Sequence, residues 1–281
     1  MLSYRHAFHA GNHADVLKHF VQLQILQYFN QKDKPYWVID THAGAGLYAL
    51  DSGYATQNAE FQSGIGKLVG RDDMPAALAE YVALVRGLNP HSALTIYPGS
   101  PWVAMQALRS QDQLKLFELH PTDSKLLNEN FATAGRQVKI LAIDGFTGLK
   151  AVLPPAPRRG FVLIDPPYEE KQDYQRVPAA LKDALKRFET GTYAVWYPQL
   201  QRHESQHFVE ALKRVPAKSW LNVSLTVHNP AVEGFGMHGS GMFIINPPWT
   251  LRATLKSVMP YLTKTLGEDQ GAGYVLEAMG L

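Results

Sequence analysis

The residues Gly160-Phe161-Val162-Leu163-Ile164-Asp165-Pro166-Pro167-Tyr168 end an apolar run on groups that can do chemistry. Four apolar residues after a glycine read as a strand buried on both faces. Two consecutive prolines forbid ladder pairing, so the strand stops there. Asp165 and Tyr168 are thereby delivered to the open end of a sheet, where ligands sit in α/β folds. A carboxylate, a proline carbonyl and a flat ring held together suit methyl transfer to an aromatic amine such as adenine N6. The lone pair of such an amine is delocalised into its ring and is a poor nucleophile. If Asp165 and the Pro166 carbonyl accept its two hydrogens, a pyramidal nitrogen with a localised lone pair is favoured. Asp165 can then take the released proton, and Tyr168 can stack on a base that has left its helix or loop.

A second set of residues offers a place for a nucleotide-like cofactor. Tyr36-Trp37-Val38-Ile39-Asp40 reads as a strand, and Thr41-His42-Ala43-Gly44-Ala45-Gly46 as a glycine turn into a helix start. Gly44 and Gly46 let the backbone approach a ligand closely. Glu118, closing the strand Leu114-Lys115-Leu116-Phe117, can accept hydrogen bonds from ribose hydroxyls. Asp144-Gly145, after the strand Val138 to Ile143, can receive the exocyclic amine of a purine. The turn also fits G-x-G-x-x-A, so a nicotinamide-dependent dehydrogenase remains an alternative, although it leaves Asp-Pro-Pro-Tyr unexplained. Asn246-Pro247-Pro248-Trp249 is a second Pro-Pro-aromatic element. It follows an apparent edge hairpin, which places it away from the cofactor turn, and residues 165–168 are preferred.

The elements that must position these groups alternate. Strands near 36–40, 114–118, 138–143, 161–164 and 193–197 are separated by helices near 176–188 and 204–214. Strands at 220–227 and 242–245 and a helix over about 251–265 follow. Such alternation implies a mostly parallel, doubly wound α/β sheet, with the last two strands as an antiparallel edge pair. Glu118 follows Asp40 by 78 residues, where about 20 are expected. The excess, rich in helix formers such as Met74 to Val85, predicts a helical insertion over about 52–95 within a single domain spanning 1–281. A helix beginning near Asp15 as N-cap, with Lys18 and His19 in its first turn, precedes the first strand. Ser100-Pro101 suits an N-cap and first helical position.

Composition bounds the rest. The chain has 281 residues, no cysteine and a formal charge of +2. Zero cysteines excludes disulfides, thiolate metal sites and cysteine nucleophiles, which fits amine methylation better than methylation at a pyrimidine carbon. A cytoplasmic address follows by default and a monomer is expected; no metal is needed, since a sulfonium methyl donor is already activated. With so small a net charge, any polyanion must be held by local patches such as Arg158-Arg159 or Arg5 with Lys18.

Taken together, Asp40-x-x-x-Gly44-x-Gly46, Glu118, Asp144 and Asp165-Pro166-Pro167-Tyr168 resemble the S-adenosylmethionine-dependent amino methyltransferases. The run from Met1-Leu2-Ser3-Tyr4-Arg5-His6 to Asp15 narrows this, as do Thr41 to Gly46, Tyr97-Pro98-Gly99-Ser100-Pro101 and Gly241 to Trp249. They resemble the bacterial ribosomal RNA large subunit methyltransferase J family over essentially the whole chain. That resemblance implies a Rossmann-like class I fold with a seven-stranded sheet. It implies N6-methylation of one adenine in 23S ribosomal RNA, as free RNA rather than assembled ribosome. It implies cofactor contacts from His19, His42, Ser100, Glu118, Asp144, Gly145 and Asp165, with Asp165 the catalytic acceptor and Lys18 a further candidate. Tyr4 is implied to belong to a mobile N-terminal motif, about residues 1–14, that meets the substrate base. A DNA adenine-N6 methyltransferase shares the same chemistry and is the alternative within this class.

Overall fold

A computed structural model describes residues 6–51, 59–91, 93–234 and 236–281. Its centre is an eight-stranded sheet. Strand β1 (Trp37–Asp40) lies between β4 (Gln113–Phe117) and β6 (Gly160–Ile164), parallel to both. β5 (Val138–Leu141) extends the sheet beyond β4, and β7 (Thr192–Gln199) beyond β6, again in parallel. The chain therefore builds outward from β1 on one side, then crosses back to build the other. The gap between β1 and β6 is the topological switch point, the usual ligand crevice.

Apolar alternation on these strands feeds two cores. Val38, Leu114, Leu116, Phe161 and Leu163 face one helical layer, whereas Ile39, Phe117, Val162 and Ile164 face the other. This two-sided burial is why β6 reads as an unbroken apolar run. The first layer holds α1 (His13–Asn30), α5 (Ser100–Ala107) and α10 (Leu251–Leu266). The second holds α7 (Gly145–Val152), α8 (Asp173–Arg187) and α9 (His203–Lys213). Helix α6 (Pro121–Asn130) joins β4 to β5.

Between β1 and β4 the chain forms an antiparallel ribbon of β2 (Leu47–Ala49) and β3 (Ile96–Pro98). Among the described residues the ribbon brackets α2 (Glu60–Ser63), α3 (Gly66–Val69) and α4 (Ala76–Gly87). Leu78, Tyr81, Val82 and Val85 of α4 enter the first core, so this segment packs as part of the domain. It also grips the start of α1. A Cβ on Gly64 would lie 2.1 Å from the Gly11 carbonyl oxygen, and the Ile65 N–H donates to that same oxygen at 2.8 Å.

Three sequence expectations need correction. The sheet has eight strands rather than seven, because β10 (Gly273–Met279) pairs antiparallel with β8 (Trp220–Thr226). Its Val275, Glu277 and Met279 are exposed and only Leu276 and Ala278 pack against the first core, so the strand carries too short an apolar pattern to announce itself. The hairpin strands are also not an edge pair, since β9 (Gly239–Ile245) lies between β7 and β8. Finally, Asn12 caps α1, its side chain accepting from the Ala14 and Asp15 N–H groups. Asp15 is buried for another purpose. Among the described residues no helix is long and apolar enough to cross a membrane.

Candidate active site

The carboxyl ends of the parallel strands open into a cleft of about 740 Å³. Most residues expected at the site line it: His19, His42, Gly44, Ser100, Glu118, Asp144, Gly145, Asp165 and Pro166. Gly44 sits at φ 61°, and its N–H donates to Glu118 Oε2 at 2.7 Å. The other carboxylate oxygen accepts from the His120 N–H at 2.7 Å. Two backbone donors thus aim Glu118 while leaving acceptor capacity for a diol. Burial nevertheless raises its pKa above the usual carboxylate range. Beside it Leu119 is exposed on the cleft wall, a flat apolar contact for a purine. Glu118, the apolar Leu119 and a second carboxylate, Asp144, thus share one cleft.

Gly145 owes its identity to packing. A Cβ there would lie 1.8 Å from the Thr41 carbonyl oxygen, so only glycine lets α7 start against the end of β1. Ser100 does not cap α5, which begins after Gly99. Its hydroxyl donates at 2.7 Å to Asp40, a buried carboxyl that also accepts from the His42 N–H. Burial pushes Asp40 up to about 7, partly offset by those two bonds. His19 is buried, its Nδ1 2.9 Å from the Tyr97 hydroxyl, and burial depresses it to about 3, so its ring is neutral.

The acceptor centre is an ion network whose members lie far apart in the chain. Lys18 Nζ pairs with Asp165 Oδ2 at 2.7 Å and with Asp15 Oδ1 at 3.0 Å. Asp15 Oδ2 is met by His6 Nε2 at 2.8 Å and the Gly11 N–H at 2.9 Å. Burial opposes the charge on Lys18, but the two carboxylates outweigh it and hold its pKa well above the ordinary value. Burial likewise opposes the charge on Asp15, and its partners His6 and Lys18 hold its pKa well below the ordinary value. Lys18 therefore stays protonated and occupies Oδ2 of Asp165, leaving Oδ1 for an incoming donor. Sequence reading ranked Lys18 low and missed Asp15. The only signal was two charged residues on an otherwise apolar helix, Asp15 and Lys18 at i, i+3.

Tyr168 departs from expectation. Its ring is only 2% exposed, packed among Tyr174, Trp196 and Phe208, and its hydroxyl donates to the Trp196 carbonyl at 2.7 Å. A φ of 53° at Tyr168 turns the chain so that the ring points into the second core, not the cleft. Trp196 lines the cleft instead, with Lys18 Nζ 5.7 Å from its ring centroid. Sequence reading placed Trp196 in a strand and gave it no role.

Two of the residues expected to hold phosphate, Arg159 and Lys18, are engaged elsewhere. Arg159 lies at the opposite end of the sheet, donating to the Lys34 carbonyl at 2.8 Å and to the Phe29 carbonyl, and so satisfies the end of α1. Lys18 is buried in its ion pairs. Arg5 and Tyr4 lie outside the described residues. Asn246 stands apart from the cleft because β9 runs antiparallel to β7 and so ends at the far side of the sheet. Its side chain donates to the Glu189 and Gly191 carbonyls, both at 2.8 Å.

Comparisons with known proteins agree with this architecture. Residues 33–277 match the family model described as ribosomal RNA large subunit methyltransferase D, RlmJ. The chain is 45% identical over 278 residues to the ribosomal RNA large subunit methyltransferase J of Haemophilus influenzae, covering 99% of this chain and 98% of that one. It is 47% identical over 266 residues to the Escherichia coli K12 protein of the same name, covering 95% and 94%. A solved structure from Legionella pneumophila superposes with a TM-score of 0.88 at 37% identity, covering 96% of this chain and 98% of that one. These matches show that the chain, a Rossmann-like class I fold whose cofactor is S-adenosylmethionine, belongs to the ribosomal RNA large subunit methyltransferase family RlmJ.

Proposed function

We propose that the protein N6-methylates one adenine of 23S ribosomal RNA, acting as a monomer in the cytoplasm on free RNA rather than on the assembled ribosome. The observation that carries this reading is the placement of Asp165. Its carboxylate stands at the switch point, clamped on one oxygen by Lys18, in the same cleft as Glu118 and Asp144. S-adenosylmethionine supplies an electrophilic methyl group on an activated sulfonium. Glu118 and Asp144 hold its adenosyl part, with His19, His42, Gly44, Ser100 and Gly145 shaping the walls. Asp165 Oδ1 and the Pro166 carbonyl accept the two hydrogens of the target amine, so its lone pair is turned out of conjugation. Lys18 holds Asp165 by one oxygen, and the carboxylate receives the proton that the amine releases. Trp196 takes the stacking role first assigned to Tyr168, and Tyr4 meets the base from the N-terminal segment.

The test incubates the protein with unmodified 23S RNA and a labelled methyl donor, then maps the modified nucleotide. Asp165→Ala is expected to abolish incorporation with melting behaviour retained, and Asn246→Ala to keep it. The reverse pattern would move the active site to the second Pro-Pro element. A label on any atom but adenine N6 would refute the proposed chemistry.

A further inference from the structure

Asp144 is held by more than its own helix. As N-cap of α7 it accepts at Oδ1 from the Thr147 N–H (2.8 Å) and the Thr147 hydroxyl (3.0 Å). Its other oxygen, Oδ2, accepts from Arg176 Nη2 at 2.6 Å. A carboxylate offers about four lone-pair sites, so three are filled and one remains. Arg176 is itself fixed. Its guanidinium carbon lies 4.4 Å from the Phe146 ring centroid, and Nη1 is 3.7 Å from Asp173. It reaches Asp144 from α8, the helix that follows the Asp165–Tyr168 turn, and lines the same cleft.

As a surface staple between α7 and α8 this pair would do little. The side chains of Arg176 and Asp144 are 45% and 30% exposed, and such ion pairs contribute weakly to stability. Its geometry suits another purpose. A carboxylate free to rotate presents its acceptors in many directions, whereas one bonded at both oxygens presents a single fixed site, and such preorganisation strengthens binding.

We propose that Arg176 is a positioning residue for cofactor recognition: by pairing with Oδ2 it locks Asp144 so that its one remaining lone pair meets the exocyclic amine of the adenosyl group. The inference rests on the reading of Asp144 as the purine-amine acceptor. It makes Arg176 part of how the cleft selects an adenine ring over a 6-oxo purine, without touching the ligand itself.

Calorimetric titration with S-adenosylhomocysteine and its 6-oxo analogue, S-inosylhomocysteine, tests this on the full chain. Arg176→Met is expected to weaken adenosyl binding about fivefold to tenfold, the worth of roughly one hydrogen bond, while leaving inosyl binding unchanged. Arg176→Lys, which keeps one charged donor, should restore most of the preference. Asp144→Asn, whose carboxamide can donate to a 6-oxo group, should shift preference toward the inosyl ligand. Unchanged binding in Arg176→Met, or equal weakening of both ligands, overturns the proposal. A preference shift in Asp144→Asn with none in Arg176→Met would remove Arg176 alone. An unshifted preference in Asp144→Asn would remove the reading of Asp144 as well.

Discussion

Replacing Lys18 by methionine probes the acceptor centre most directly, because it removes a charge while nearly keeping the volume. Lys18 lies between two carboxylates at 2.7 and 3.0 Å, and Asp15 is fully enclosed. Removing one partner of a buried ion pair costs about 3–5 kcal/mol, since the other charge is left without compensation. Asp15 would keep His6 and the Gly11 N–H, and Asp165, at 14% side-chain exposure, can recruit water. The lower end applies, about 3 kcal/mol, which for a chain of this size lowers the melting temperature by about 6–12 °C. Turnover should fall far more than stability, because Asp165 loses the contact that orients it. Scanning fluorimetry and single-turnover methyl transfer read the two effects. A double-mutant cycle with Asp165→Asn isolates the pair, with an expected coupling of about 1–3 kcal/mol. Unaltered melting together with normal turnover in Lys18→Met would refute the reasoning, and zero coupling would refute the claimed link to Asp165.

The remaining predictions concern neighbouring residues. Asp40 is pushed up to about 7 by burial, so the folded state keeps a proton that the unfolded chain releases near pH ~4. Stability from this group is full below pH ~4, declines as pH rises to about 7 and is level above, a loss of at most about 4 kcal/mol. Asp40→Asn should flatten the dependence of urea unfolding on pH across that window, and an unchanged profile would contradict the assignment. Tyr168→Phe removes a buried hydrogen bond to the Trp196 carbonyl and should cost about 1–2 kcal/mol in urea denaturation. A raised KM for RNA with stability intact would instead put the Tyr168 hydroxyl against substrate. Gly145→Ala forces a methyl onto the Thr41 carbonyl and should destabilise by about 1–3 kcal/mol, checked by thermal melting.

How much of the site could be read from the chain depends on the range of the interaction. The end of β6 at Asp165, the turn at Gly44 and the acids closing β4 and β5 are consequences of local pattern. Apolar runs form buried strands, paired prolines end them, and glycine permits the turn. The spacing between Asp40 and Glu118 likewise announced extra structure before β4, although not that a β-ribbon brackets its helices. Trp196 and Arg176 left no such mark, and Lys18 showed only as a charge on an apolar helix. Lys18 meets Asp165 across 147 residues, and Trp196 enters the cleft because of the direction in which β7 runs beside β6. Tyr168 was misjudged because a pattern fixes the turn but not the side to which a ring falls. That was decided by φ at one residue and by the space left among Tyr174, Trp196 and Phe208.

The two Pro-Pro elements show the boundary most clearly. Their sequences differ little, yet Asp165 ends a strand that runs with β1, and Asn246 ends one that runs against its neighbours. Sequence by itself determined that each element closes a strand on a polar side chain and an aromatic ring. Only the tertiary structure decided which of them faces the cleft, because strand direction is set by packing and pairing with distant residues, and direction alone assigns a strand's end to one edge of the sheet or the other.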